Sequence, residues 1–308
     1  MQPWKTTLEI TCTVMILPLL LFAPVLGQTP SDVPLVYQSL VHRLSQDGFD
    51  AGFLSRLLMD SRAEPIPSVM SIPLTTREVP EIYEQFLTPE AILLAKKFLQ
   101  ENLTMLNEVE KRFSVDREVV TAILLVESRF GENIGKLRVI PTLASMAVMD
   151  SPDNVETNYS TLRIADPEIT YDWVQGVAKK KAGWAYQELK SFLLIVLREN
   201  VDPLEIRGSY AGAVGMAQFV PSSYLGYAES KNGFERWLTS KEDAVFSIGN
   251  YLKSHGWNKN LTLDKKKRVL WYYNHSKPYI ETVLLIAQKI KNQLLRQAGQ
   301  GKGTSSSE

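Results

Sequence analysis

A glutamate near the end of an apolar segment is the first residue whose setting suggests chemistry. Residues 121–131 read TAILLVESRFG, and apolar side chains lie three and four positions before Glu127. At helical spacing these side chains share one face, so the carboxyl group is expected on a mostly apolar surface. Burial raises the pKa of a carboxyl group, which suits a general acid near neutral pH. From this segment alone, a structural pairing of Glu127 with Arg129 or Lys136 is the favoured interpretation.

A second segment, residues 208–224, is rich in small side chains. It reads GSYAGAVGMAQFVPSSY, in which Ser209 and Gln218 are polar groups among three glycines and three alanines. Small residues let backbones approach closely, so the segment suits the wall of a groove that holds a polar ligand. Tight packing of helices would explain the small residues as well. The segment does not end in glycine and lysine, so it is not a phosphate-binding loop.

A third segment, residues 271–279, reads WYYNHSKPY. Aromatic rings around an asparagine and a serine are common in sugar-binding sites, because a ring covers the apolar face of a pyranose. A turn in the hydrophobic core is the alternative interpretation.

The elements that position these segments are predicted to be helices, with at most a small β element. Thr88 and Pro89 are typical of a helix start, and Gly131 is typical of a helix end. Residues 151–172 are polar and contain two prolines, which predicts a loop or an insertion. Helical patterns cover residues 36–59, 89–113, 115–130, 184–200, 241–255, 267–273 and 277–295.

The N-terminal residues differ from the rest of the chain. Residues 14–26 are almost wholly apolar, and Gly27 follows them, which is typical of a secretory signal peptide over residues 1–27. An uncleaved membrane anchor is the alternative, although two prolines interrupt the short apolar run. The only cysteine, Cys12, lies in this segment, so the mature chain is predicted to form no disulfide and no cysteine metal site.

Together these segments resemble the membrane-bound lytic transglycosylase B family, glycoside hydrolase family 103. The family pattern E-[ST]-x-[WFY]-G corresponds to residues 127–131, and G-S-[FY]-A-G-A-[MV]-G-x-x-Q-F-[MV]-P-S-S-Y corresponds to residues 208–224. The pattern N-Y-[FL]-K-x-H-G-W stands at residues 250–257, and Y-N-x-S-x-x-Y stands at residues 273–279. The similarity extends over residues 53–295.

The resemblance implies a mainly α fold, in which a lysozyme-like catalytic domain carries extra N-terminal helices. Residues 28–80 are predicted to be a helical and extended segment that packs on a catalytic domain of residues 81–296. Within that domain, residues 150–183 are predicted to be a loop or an insertion. Residues 297–308 are predicted to be a disordered tail because they are rich in glycine and serine.

The resemblance also implies an activity: cleavage of the β-1,4 bond between N-acetylmuramic acid and N-acetylglucosamine, with formation of a 1,6-anhydro ring. It assigns Glu127 as the catalytic acid and then base, since the matched motifs supply no second carboxylate. The substrate-binding residues it implies are Ser209, Gln218, Phe219, Tyr251, Tyr273, Asn274 and Tyr279. A lysozyme-type muramidase and a non-catalytic peptidoglycan-binding protein are the alternative functions.

The sequence departs from the family at a calcium loop that many members carry. Residues 228–244 lack its series of oxygen ligands, and the three histidines are widely dispersed, so neither a metal nor another cofactor is predicted. The predicted partners are peptidoglycan glycan strands, with a cell-wall enzyme complex left open, and the predicted protein is a periplasmic monomer.

Charge argues against nucleic acid as a partner, because 34 basic and 34 acidic residues give zero net charge. Two lysine runs, residues 179–181 and 265–267, are most simply solvated. Contact of these runs with an anionic wall polymer is the alternative.

Overall fold

The computed structural model describes residues 33–73 and 79–303, with side chains as far as residue 296. The predicted signal peptide therefore lies outside the described residues. The fold is mainly α, which confirms the predicted class, and the described β structure is one antiparallel pair. Its strands are β1 (Leu137–Arg138) and β2 (Arg207–Gly208). Within the described ranges, no helix combines the length and apolar character needed to cross a membrane.

The helices follow one another with short connections. They are α1 (Leu35–Gln46), α2 (Ala51–Met59), α3 (Pro67–Met70), α4 (Pro89–Glu101), α5 (Leu103–Phe113), α6 (Arg117–Ser128), α7 (Val139–Ala147), α8 (Pro152–Ala165), α9 (Tyr171–Glu199), α10 (Pro221–Tyr227), α11 (Phe234–Thr239), α12 (Lys241–Ser254), α13 (Leu263–Tyr273) and α14 (Lys277–Gly303). Two short 3-10 helices, Ser61–Ala63 and Pro80–Phe86, complete the set.

Helix α6 lies at the centre of the helical packing. It packs against α4, α5, α12 and α14, and its residues from Glu118 to Leu125 are all buried. A helix that is covered on all sides must carry apolar residues all round, which explains the run VVTAILL in this segment. The central position fixes the last turn of α6, where Glu127 lies.

The predicted helix over residues 89–113 is two helices in the structure. Thr88 caps the first one as expected, since its hydroxyl accepts a hydrogen bond from Ala91 N at 3.2 Å. The break falls at Asn102, whose side-chain amide donates to the carbonyl of Phe98 at 2.8 Å and so competes with the helical ladder. Ser114 ends α5 in the left-handed conformation, at φ 56°, and does not cap α6.

The prediction of a loop over residues 150–183 is wrong, because helices α8 and α9 occupy most of it. Pro167 falls in the short break between them. In the first half of α9 the buried side chains are small and lie at helical spacing, namely Val174, Ala178, Ala182 and Ala185. Alanines let α9 pack closely on α7. They contribute little to an amphipathic pattern, so the sequence did not indicate a helix there. The second half agrees with the predicted helix over residues 184–200. Whether the segment is an insertion relative to the family stays a prediction.

The N-terminal helices α1 and α3 pack on α7. Buried Tyr37 and Ser145 share a hydrogen bond of 3.0 Å between their hydroxyl oxygens, and Ile66 N donates to the same Ser145 oxygen at 2.8 Å. Arg62 adds ion pairs to Asp202 at 3.0 Å and Glu205 at 2.6 Å. The division into segments at residues 28, 80 and 296 stays a prediction.

At the C-terminal end, α14 continues to Gly303, so the predicted disordered tail is helical in its first part. Residues 304–308 lie outside the described residues.

The small β element depends on a close backbone approach at Gly135. This residue has φ +94°, and a Cβ atom placed on it would overlap the carbonyl of Gly208 in β2. We expect Gly135→Ala to lower the free energy of unfolding by about 3 kcal/mol or more, since backbone on both sides must shift. The matched control is Gly176→Ala in α9, where a Cβ meets nothing within 4 Å. The control is expected to be neutral or slightly stabilising. Equal denaturation midpoints for the two variants would contradict the close approach.

Candidate active site

Glu127 lies half-buried in the last turn of α6, and the structure fixes where that turn ends. Arg129 and Phe130 adopt left-handed conformations, at φ 50° and 60°, which stops the helix. Ser128 anchors the end, since its hydroxyl donates to the carbonyl of Met216 at 2.7 Å and accepts from Gly131 N at 3.0 Å. The glutamate is therefore held against the segment 208–224.

Tyr279 is the partner that the structure gives to the Glu127 carboxyl group. Its phenolic O–H donates to Glu127 Oε1 at 2.6 Å. The contact forms because α14 packs against α6 and brings its first turn beside the last turn of α6. Tyr279 is only 1% exposed, and its ring meets that of Tyr83 edge-on at 6.1 Å. The hydrogen bond and the packing together fix the direction of the carboxyl group.

The tyrosines around Glu127 remain protonated over a wide pH range. Burial raises the pKa of Tyr279 well above its ordinary value, and the negative charge of Glu127 raises it further. The same two causes raise the pKa of Tyr273 well above the ordinary value. Tyr279 is therefore a permanent hydrogen-bond donor to Glu127. The raised pKa that the sequence indicates for Glu127 itself stays a prediction.

The polar side chains of residues 208–224 are engaged with their own loop. The Ser209 hydroxyl accepts from Ala211 N at 3.2 Å and from Ala213 N at 3.1 Å. The Gln218 side-chain amide donates to the carbonyl of Gly215 at 2.8 Å, and Gln218 itself has φ 48°. These bonds hold the segment in a compact conformation. They also hold the Gln218 side chain in place where it lines the adjoining cavity.

Three of the predicted binding residues form one aromatic cluster. The ring of Phe219 lies 5.4 Å from that of Tyr251 and 5.9 Å from that of Tyr273, and the two tyrosine rings meet edge-on at 5.0 Å. The phenolic O–H groups donate to backbone carbonyls, Tyr251 to Tyr272 and Tyr273 to Ala217, each at 2.6 Å. The cluster is thus braced by buried hydrogen bonds, and its rings form a rigid surface.

A cavity of about 310 Å³ adjoins this cluster. Four predicted site residues line it, namely Gln218, Phe219, Tyr251 and Tyr273. The other lining residues are Trp184, Val220, Ser223, Tyr272 and His275. Glu127 and Tyr279 connect to this wall through Tyr273, whose ring lies parallel to that of Tyr279 at 6.4 Å. The cavity lining does not include Glu127, Tyr279, Ser209 or Asn274. The Asn274 backbone ends α13 by donating to Leu270 O at 3.1 Å.

Trp184, Tyr272 and His275 are lining residues that sequence reasoning did not select. Trp184 belongs to α9 and is 38% exposed, and Tyr272 is 57% exposed. Both large aromatic side chains are therefore accessible to a ligand in the cavity. An aromatic residue beside a polar helix face is a signal that could have identified Trp184. The sequence places Trp184 at the start of the predicted helix over residues 184–200, but it does not indicate which residues lie opposite this side chain.

No metal site is indicated by the described part of the chain, where no three His, Cys, Asp or Glu side chains are grouped to hold an ion. In the segment 228–244, Lys231 pairs with Glu242 at 2.8 Å. The prediction that the protein needs no metal stays a prediction.

Solved structures of lytic transglycosylases have the same fold as this chain. The Escherichia coli lytic transglycosylase Slt35 in complex with bulgecin A has a TM-score of 0.65 and 22% identity, over 84% of this chain and 93% of that one. SltB3 from Pseudomonas aeruginosa, solved in complex with NAG-NAM-pentapeptide, has a TM-score of 0.63 and 22% identity, over 84% of this chain and 80% of that one. The lysozyme-like fold implied by the sequence resemblance is thereby confirmed.

Sequence comparison defines the family. Residues 35–269 match the transglycosylase SLT domain (SLT_2), and the chain belongs to this family. It is 29% identical over 240 residues to the membrane-bound lytic murein transglycosylase B of Escherichia coli strain K12. The match covers 73% of this chain, and the chain spans 58% of the length of that relative.

Proposed function

We propose that the chain is a peptidoglycan lytic transglycosylase, which cleaves between N-acetylmuramic acid and N-acetylglucosamine and leaves a 1,6-anhydro end. The observation that carries the proposal is the carboxyl group of Glu127, oriented by Tyr279 and joined through Tyr273 to an aromatic cavity. The matched sequence motifs supply one carboxylate, that of Glu127. A glycosidase with two catalytic carboxylates would place the second one within about 5–10 Å of the first, across the sugar.

The proposed reaction uses Glu127 twice. As an acid it gives its proton to the glycosidic oxygen, and the bond from that oxygen to the anomeric carbon breaks. The oxygen of the substrate's N-acetyl group supports the electron-poor carbon. Glu127, now a carboxylate, takes the proton of the C6 hydroxyl while the C6 oxygen bonds to the anomeric carbon. Water is not consumed, and Glu127 returns to its protonated form.

The other predicted residues have binding or positioning roles in this proposal. Tyr279 is a positioning residue, because its hydrogen bond directs the carboxyl oxygen Oε1 of Glu127. The rings of Phe219, Tyr251 and Tyr273 support the sugar, and Gln218 supplies a polar contact from the cavity wall. Ser209 and Asn274 are proposed to contact the substrate from the edges of the groove.

The proposal is tested by incubating the purified chain with purified peptidoglycan sacculi. We expect soluble muropeptides to be released at a rate proportional to enzyme concentration. Binding to the sacculi without any release would contradict the proposed activity.

Trp184 provides a test of the cavity itself. We expect Trp184→Ala to raise KM for glycan strands roughly tenfold, because one aromatic wall for a pyranose is lost. The change in kcat should be small, since Trp184 takes no part in the proposed proton transfers. Trp173→Ala is the matched control, because Trp173 is 42% exposed on the same helix and does not line the cavity. Equal KM values for the two variants would contradict a role for this wall.

We further propose that the protein acts in the periplasm as a monomer, exported by residues 1–27 as a signal peptide. Its proposed substrate lies outside the cytoplasmic membrane, and the Escherichia coli relative is described as membrane-bound. Mass spectrometry of the protein isolated from its own cells would identify the mature N-terminus. A start at Gln28 supports cleavage, whereas an intact Met1 supports the alternative of an N-terminal anchor.

A further inference from the structure

A buried glutamate on α9 takes no part in the proposed proton transfers. Glu188 is only 5% exposed, and both of its carboxyl oxygens accept hydrogen bonds from Ser222. Oε2 accepts from the backbone N at 2.9 Å, and Oε1 accepts from the hydroxyl at 2.7 Å. One side chain thus holds one residue at two points, and it joins the second half of α9 to the first turn of α10.

No cation is paired with Glu188 in the part of the chain that the structure describes. Lys190 and Arg198 on the same helix are paired elsewhere, with Asp47 at 2.7 Å and with Glu199 at 2.8 Å. Burial of a carboxyl group costs free energy that hydrogen bonds offset only in part, so an apolar side chain in its place is often equally stable. Stability alone therefore gives a glutamate no advantage here. What the glutamate supplies is two acceptors directed at Ser222.

The residue that Glu188 holds lies between two residues of the aromatic cavity wall. Ser223 follows Ser222 directly, Val220 precedes it by two positions, and both line the cavity. Ser222 itself is exposed and is not part of the cavity lining. Because the bond to the Ser222 backbone fixes the start of α10, it also fixes where these two wall residues lie.

The helix that carries Glu188 supplies a wall residue as well. Trp184 precedes Glu188 by four positions, so the two side chains lie on one face of α9, and Trp184 lines the same cavity. The bonds from Glu188 to Ser222 therefore set the separation between Trp184 and the wall residues of the segment 220–223. Apolar packing of α10 on α9 is non-directional and would leave this separation less defined.

We propose that Glu188 is a positioning residue, which holds the α10 side of the aromatic cavity at the separation from Trp184 that a sugar ring requires. The proposal rests on the proposed function, since it concerns the geometry of the same sugar site. Glu188 does not touch the sugar and acts through Ser222. Its loss should weaken the binding of glycan strands and leave the chemistry at Glu127 unchanged.

The main test replaces Glu188 by leucine, which fills a similar space and accepts no hydrogen bond. We expect Glu188→Leu to raise KM for soluble glycan strands about tenfold, with little change in kcat. The melting temperature should stay close to that of the wild type, because Ser222 is exposed and its freed N–H and hydroxyl groups can bond to water. A residue with only a structural role would show the reverse, a lower melting temperature with an unchanged KM.

Two further variants test whether the hydrogen bonds themselves matter. Glu188→Gln should keep KM near the wild-type value, because the glutamine carbonyl can accept from Ser222 N while its amide donates to the Ser222 hydroxyl oxygen. Ser222→Ala changes an exposed residue and removes only the hydroxyl bond, so it should raise KM by roughly threefold. Combined with Glu188→Leu, it should add nothing, since both changes remove the same contact.

Glu199→Leu is the matched control, because it makes the same change on the same helix. Glu199 Oε2 also accepts a hydrogen bond from a later segment, from Phe234 N at 3.3 Å, but Phe234 is not part of the cavity lining. The control should leave KM for glycan strands unchanged.

Hydrogen exchange of the Ser222 amide gives a readout that does not depend on activity. Exchange should be faster in Glu188→Leu than in the wild type or in Glu188→Gln. An unchanged KM in Glu188→Leu, an equal rise in the Glu199→Leu control, or a Glu188→Gln variant as impaired as Glu188→Leu would overturn the proposal. Unchanged exchange of the Ser222 amide would overturn the proposal alone. A wild type that releases no muropeptides would instead overturn the proposed function, and this proposal with it.

Discussion

Replacement of Glu127 by Gln is expected to reduce glycan cleavage at least roughly 100-fold, the usual consequence of losing a general acid. The amide of glutamine cannot give a proton to the glycosidic oxygen, nor can it take one from the C6 hydroxyl. The side chain keeps its size, and its oxygen still accepts the hydrogen bond from Tyr279. The melting temperature should therefore remain close to that of the wild type, and the loss should appear in kcat.

Glu132→Gln is the matched control for this substitution. Glu132 follows α6 by a few residues, pairs with Arg129 at 3.0 Å, and has a largely exposed side chain. The same change in charge at this position should leave glycan cleavage unchanged, because an exposed ion pair contributes little to stability or to the groove. If Glu127→Gln kept near wild-type cleavage, or if both variants lost it equally, the assignment of Glu127 would be wrong.

Tyr279→Phe is expected to lower kcat roughly 10- to 100-fold, since a hydrogen bond to a charged group is lost. The phenylalanine ring keeps the packing against Tyr83, but the Glu127 carboxyl group loses the donor that fixes its direction. KM should change little because the aromatic cavity is intact. Steady-state kinetics on soluble glycan strands separates the two parameters.

Tyr37→Phe is the control for the loss of a buried tyrosine hydroxyl. Tyr37 is fully buried and shares a hydrogen bond with Ser145, among the N-terminal helices and away from Glu127. This control should lower the melting temperature without lowering kcat. A Tyr279→Phe variant that lost only stability, as the control is expected to do, would show that Tyr279 has no positioning role.

The sequence was most informative where a residue's role follows from its neighbours along the chain. Glu127 lies in the last turn of a buried helix, as the apolar spacing before it indicates, and the small residues of 208–224 form a compact wall. At Gly212 and Gly215, positive φ angles leave no room for a side chain. These features depend on local backbone geometry, which sequence patterns record directly.

Sequence patterns did not predict the features that depend on tertiary contacts. The first half of α9 was missed because its buried face there consists of one valine and three alanines, whereas the second half agrees with the predicted helix over residues 184–200. The place of Trp184 in the cavity wall was missed because it depends on contacts across the fold. Tyr251 and Tyr273 were predicted as substrate-binding residues, and the structure adds that both hydroxyl groups donate to backbone carbonyls while their rings belong to the cavity lining. The sequence near a tyrosine does not indicate which distant group will accept the hydrogen bond from its hydroxyl.

The mass of the products released from purified peptidoglycan tests the central claim most directly. Ring closure by the C6 hydroxyl consumes no water, so each muropeptide should be lighter by one water than the corresponding hydrolysis product. We expect the wild type to release 1,6-anhydro muropeptides and Glu127→Gln to release almost none. Muropeptides with a free reducing end would contradict the account, because they would make the protein a hydrolase that needs an activated water.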